Sequence, residues 1–115
     1  MTIMQMDQGL DTGAILRAQS CAIDAGETTG QLHDRLASLG AQLMLDVLRD
    51  IGHVVPVPQP EQGACYANKI DKSESWLQWS QPALVLSRQL RAFDPFPAGS
   101  ARLGGLNLKL WSGVA

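Results

Sequence analysis

Asp11 is the residue of this chain best suited by its surroundings to move a proton. It lies in TIMQMDQGLDTG (Thr2 to Gly13), where a β-prone run empties into a turn bracketed by Gly9 and Gly13. Glycines on either side permit positive φ. That would fold the loop tightly and hold the carboxylate at the rim of a cleft instead of in bulk water. On spacing alone the simpler reading of such an acid is a turn former, hydrogen-bonding its own backbone.

Other reactive residue types carry weaker signals. His33 falls beside the apolar stripe of a helical pattern and His53 in a proline-rich stretch, and a lone histidine in either place reads as a packing or surface residue. Cys21 and Cys65 are far apart, with no CxxC and no neighbouring histidine pattern, so no metal is expected and reduced thiols are the default. Trp76, Trp79 and Trp111 could stack on bases, but tryptophans around a thin core read first as its main source of buried area. No phosphate-cradling glycine loop, nucleophile elbow or paired-carboxylate site can be read.

Periodicity gives the elements that must position Asp11. Thr2 to Met6 and Ala14 to Ile23 are strand candidates joined by the Asp11 loop as a hairpin-like pair. The second alternates with a period of two, with small residues on one face. Thr28 opens a helix, and Gln31 completes a capping box. Leu32, Leu36, Leu39, Leu43, Val47 and Ile51 then form an apolar stripe, ended by Gly52 as a C′ residue. His53 to Gln62, HVVPVPQPEQ, cannot continue a helix and reads as an extended, semi-rigid interdomain linker. A second helix is predicted from near Ser80, with Pro82 in its first turn, through Leu86, Leu90 and Phe93 to a stop at Pro95 and Pro97. Leu106, Leu108 and Leu110 alternate with Asn107, Lys109 and Trp111 as one strand whose partners are expected beyond Ala115.

The 115 residues carry a net charge of −2, unevenly spread. The first sixty-one hold three arginines against eight carboxylates, a net of −5, and the remainder six cations against three, a net of +3. That asymmetry fits a nucleic-acid contact in the second half, and also a solvated basic face. No apolar run approaches the ~20 residues of a membrane helix, and Met1 opens no secretory signal, so the expected location is cytoplasmic.

Five short motifs in register give a more specific pointer: MQMDQGLDTG, LHDRLASLG (Leu32 to Gly40), YANKI (Tyr66 to Ile70), RAFDPFP (Arg91 to Pro97) and LKLW (Leu108 to Trp111). In order and spacing the chain resembles the methionyl-tRNA formyltransferase family. The GLDTG-like loop is shared with folate-dependent formyl-transfer enzymes generally. Asp94 and Phe96 depart from the usual Asn and Trp, and Gln78 stands in LQW where Asp is common, both outside the chemistry.

The resemblance implies formyl transfer from 10-formyltetrahydrofolate to the amino group of methionine on initiator tRNA, with no metal. The attacking amine must lose a proton and the departing folate nitrogen gain one, so an acid–base system and an oxyanion donor are needed. In the family an Asn, a His and an Asp share these roles. Asp11 matches the Asp, with Gly9, Leu10 and Asp11 on the folate side. The Asn and His belong to a segment upstream of this chain, and neither His33 nor His53 aligns with that His. Arg88 and Arg91 are the candidates for tRNA contact.

The implied fold class is α/β: the C-terminal part of a Rossmann-like formyltransferase domain (1–57), a Pro-rich linker (58–68), and the helix and first strand of an OB-like β-barrel domain (69–115). The chain is thus expected to be a fragment, inactive alone, of an enzyme that is a monomer at full length. Met1 stands where the family commonly has Val. Two readings of other classes stay open. One is a non-catalytic RNA-binding module, whose affinity would fall with salt and survive loss of Asp11. The other is a sibling formyltransferase or hydrolase acting on a sugar amine or on folate, against which YANKI and RAFDPFP weigh.

Overall fold

A computed structural model of the chain describes residues 1–114. Its elements run β1 (Thr2–Met4), β2 (Ile15–Ala18), α1 (Thr29–Arg49), a 3-10 turn (Lys72–Ser75), α2 (Ala83–Ala92), β3 (Gly99–Leu103) and β4 (Leu106–Leu110), a small mixed α/β arrangement. They fall into two compact units. The first comprises Met1–Ala22 with Asp34–Ala67, and the second Ile23–His33 with the chain from Asn68 onward.

In the first unit β1 and β2 form the expected antiparallel pair, but both strands are shorter than the β-prone runs that encode them. Thr2 pairs with Ala18, Ile3 with Arg17 and Met4 with Ile15, so a β-bulge between Ile3 and Met4 leaves Leu16 over. The bulge breaks the strict alternation expected from Ala14 onward, and Ile15 and Leu16 are both half-buried. Leu16 packs with Leu39 against a core of Ile3, Leu43 and Val47. The α1 stripe is therefore buried at its centre, Leu43 being 4 % and Val47 2 % exposed. It stops short of the predicted end: the helix closes at Arg49, Ile51 is 58 % exposed, and Gly52 is not in the left-handed conformation of a C′ glycine. At the other end the capping box forms as read. The Gln31 amide donates to Thr28 Oγ1 at 3.3 Å and the Thr28 amide to Gln31 Oε1 at 3.0 Å.

The proline-rich stretch after α1 is more than a tether. Val57 bridges Ile15 antiparallel, with Ile15 N donating to Val57 O at 2.7 Å and Val57 N to Ile15 O at 2.8 Å. Both polar groups of Val57 therefore point at β2. Those of the flanking Pro56 and Pro58 point outward, where a missing N–H costs no ladder bond. Alternating proline in VPVPQP thus encodes an edge strand as well as extended chain.

The second unit is built on α2 and a hairpin. Pro82 is the N-cap of α2, Leu90 and Phe93 are buried, and the helix ends at Ala92 with Phe93 as C-cap. β4 finds one partner upstream, which the sequence reading did not expect: β3 pairs with it antiparallel from Gly99↔Leu110 to Leu103↔Leu106. Gly104 and Gly105 form the two-residue loop with φ 54° and 84°, the type I′ geometry that matches strand twist. Trp76 forms a single parallel bridge with Ser100, and the Leu77 amide donates to Ser100 O at 2.8 Å, tying that segment to β3. The core is Leu77, Leu90, Phe93, Ala98 and Ala101. The tryptophans do not supply it: Trp76, Trp79 and Trp111 are 38 %, 64 % and 51 % exposed. Leu77, Leu90 and Phe93 supply most of it, and β3 contributes small residues because it lies close to its neighbours: a Cβ at Gly99 would overlap Leu90 Cδ2.

Candidate active site

The Asp11 loop closes by a different device from the one its glycines suggest. Neither Gly9 nor Gly13 takes positive φ; Asp11 itself does, at 57°, a conformation aspartate tolerates better than most residues. The glycines serve close approach instead. A Cβ at Gly13 would overlap the Gln5 carbonyl oxygen, and one at Gly9 would overlap Thr12 Oγ1.

The turn former is Asp7, not Asp11. The Asp7 carboxylate accepts the Thr12 hydroxyl at 2.6 Å and the Gly9 amide at 2.9 Å. The Thr12 hydrogen bond first, and the Gly9 amide second, hold the Asp7 carboxyl below its ordinary value. Asp11 is left exposed, and among the described residues its carboxylate has no hydrogen-bond partner. A second fastening comes from the edge strand, where Gln59 Nε2 donates to Asp11 O at 2.8 Å and to Gly13 O at 2.7 Å. Leu10, Asp11 and Thr12 then line a cleft of about 730 Å³ with Gln59, Cys65 and Tyr66. That volume lies within the range of small-molecule sites. Gly9 is outside the cleft lining, so its part is to shape the turn.

Arg88 and Arg91 lie together in the second unit, on a cleft of about 430 Å³ that also takes in Asp24, Glu27, Thr28 and Thr29. They are not equivalent. Arg88 is exposed, whereas Arg91 is half-buried and donates to Ser87 Oγ at 2.9 Å, and the buried Ser87 hydroxyl donates to Gly113 O at 3.0 Å. His53 is at the surface, 3.3 Å from Asp50. Among the described residues, no three His, Cys, Asp or Glu side chains gather into a metal-holding group.

Neither Asp7 nor Gln59 is among the candidates that the motifs offer. For Asp7 the signal was the Asp-x-Gly spacing of Asp7 and Gly9, which suits an Asx turn. Gln59 carried its signal in the proline alternation around it, which fixes its register opposite the loop.

Residues 1–48 match the family model described as formyl transferase, and residues 69–114 match that of the formyl transferase C-terminal domain. The chain belongs to the formyl transferase family, a family of enzymes. Within it the chain is similar to proteins named methionyl-tRNA formyltransferase: 58 % identical to that of Albidiferax ferrireducens over 96 % of this chain, and 52 % identical to that of Paraburkholderia phymatum over its whole length. It spans 35 % and 36 % of those relatives' lengths. A solved structure from Mycobacterium tuberculosis, described as a candidate sugar N-formyltransferase, matches with a TM-score of 0.77 at 22 % identity. That match covers 95 % of this chain and 50 % of the other, and bears on the fold alone. No helix among the described residues is long and apolar enough to cross a membrane.

Proposed function

We propose that this chain is the part of a methionyl-tRNA formyltransferase that carries its proton-transfer carboxylate, and that the enzyme moves the formyl group of 10-formyltetrahydrofolate onto the amine of methionyl initiator tRNA. The observation that carries the reading is the state of Asp11. It is an exposed carboxylate that secures no turn and is held in an uncommon backbone conformation at a small-molecule-sized cleft. A structural aspartate would look like Asp7.

In the reaction the amine nitrogen bonds to the formyl carbon and the bond from that carbon to the folate nitrogen breaks. One proton leaves the amine and one reaches the folate nitrogen. Asp11 serves that proton traffic, Leu10 and Tyr66 offer apolar surface to the folate, and Gly9 keeps the turn tight enough to present both. Residues 1–57 belong to the catalytic domain of Rossmann-like design, 58–68 to the linker, and 69–115 to an OB-like domain that meets the tRNA through Arg88 and Arg91. The enzyme acts as a cytoplasmic monomer. Identity of 52–58 % to proteins named for the tRNA substrate favours it over a sugar amine.

The test is Asp11→Asn in a full-length formyltransferase carrying this chain. Loss of an acid–base group costs about 10²–10⁴ in rate, so formyl transfer should nearly vanish while folate and tRNA affinity stay within about threefold. Activity within threefold of the parent enzyme would return Asp11 to the ranks of loop residues.

A further inference from the structure

The Asp11 loop is held by one side chain from a distant part of the sequence. Gln59 lies 48 residues beyond Asp11, yet its Nε2 reaches the carbonyls of both Asp11 and Gly13. A primary amide carries two hydrogens on one nitrogen, so both bonds form at once and both donors are used. The carbonyls belong to alternate residues, so holding them fixes the Asp11–Thr12 and Gly13–Ala14 peptide planes, and the first of these flanks the Cα from which the Asp11 side chain leaves the backbone.

The register explains why residue 59 does this. Val57 and Ile15 form a hydrogen-bonded antiparallel pair, so stepping two residues along each strand sets Gln59 opposite Gly13. Asp7 secures the same loop through Gly9 N and Thr12 Oγ1 and leaves the Asp11 carbonyl to Gln59. The clamp thus acts directly on the carbonyl of a non-glycine residue held at φ 57°, a conformation that L-residues adopt far less readily than the right-handed one.

We infer that Gln59 is a positioning residue for formyl transfer, acting through the Asp11 backbone. The inference rests on the proposed role of Asp11, and the experiment separates the two. Gln59→Glu and Gln59→Met keep the length of the arm and remove both donors, and the second does so without adding charge. In the full-length enzyme each should lower kcat about 10- to 100-fold, the scale of a small misplacement of a reacting group, with KM for both substrates within about threefold. Combined with Asp11→Asn, either should cost less than about threefold more, because a residue that acts through Asp11 has nothing left to position. In the 115-residue chain the strong intraresidue amide-to-Hα NOE of a left-handed Asp11 should weaken in both variants. Undiminished kcat, or a loss that multiplies fully with that of Asp11→Asn, would overturn the positioning role. An unchanged Asp11 NOE would remove the clamp itself. If Asp11→Asn alone proved active, the proposed site would fail, while the NOE would still judge the clamp.

Discussion

Two aspartates four residues apart divide the work of the loop, and their hydrogen bonds show which does what. Asp7 spends its acceptors on the turn and Asp11 keeps its own for solvent. The division has a pH signature. The folded turn binds a proton at Asp7 less readily than the unfolded chain does, so its stabilising contribution is complete above the ordinary value of 3.8 and is lost as pH falls through the lower folded value. An NMR titration should show the Gly9 amide and Thr12 signals shifting below pH 4 in step with the Asp7 carboxyl, and Asp7→Asn should abolish that step. The glycines that permit positive φ serve close approach in this loop, and Asp11 takes the positive φ. Positive φ and close approach both call for glycine, and spacing cannot tell them apart.

The longest element was also the most legible. In α1 the capping box at Thr28 and Gln31 and the stripe at Leu39, Leu43 and Val47 repeat one period over five turns, so local and long-range signals agree. Leu43→Ala should cost about 2–5 kcal/mol, and Leu36→Ala less, since Leu36 is only half-buried. Thermal melts of the two variants check the order, and equal melting temperatures would mean the stripe faces elsewhere. The strands were less legible. A bulge at Leu16 disrupts the period on which strand reading depends, and β3 was hidden because Gly99, Ser100 and Ala101 are small residues that pack without announcing themselves. The Gly104–Gly105 pair before Leu106 was the available sign that a hairpin turned there. The loop that carries the candidate Asp11 was legible because it is local, and its fastening by Gln59 was not, because that contact depends on a pairing between strands 42 residues apart.

For the molecule as a whole, the two arginines proposed to meet tRNA differ in setting, Arg88 being exposed and Arg91 half-buried. Arg88→Ala should flatten the salt dependence of tRNA binding by roughly one unit of log–log slope if it meets a phosphate. Arg91→Ala should lower the melting temperature, because its guanidinium is joined to Ser87 and through it to the backbone at Gly113. Affinities at several salt concentrations beside melts of each variant separate the two effects, and unchanged slopes for both would take α2 out of the tRNA footprint. The edge strand at Val57 has a consequence of another kind. Its outer side presents the carbonyls of Pro56 and Pro58 and no N–H between them, so a strand from a neighbouring molecule would find acceptors but no donors there. Sheets grow by exchanging both. The same prolines that let Val57 dock on β2 therefore block that edge as a template for aggregation.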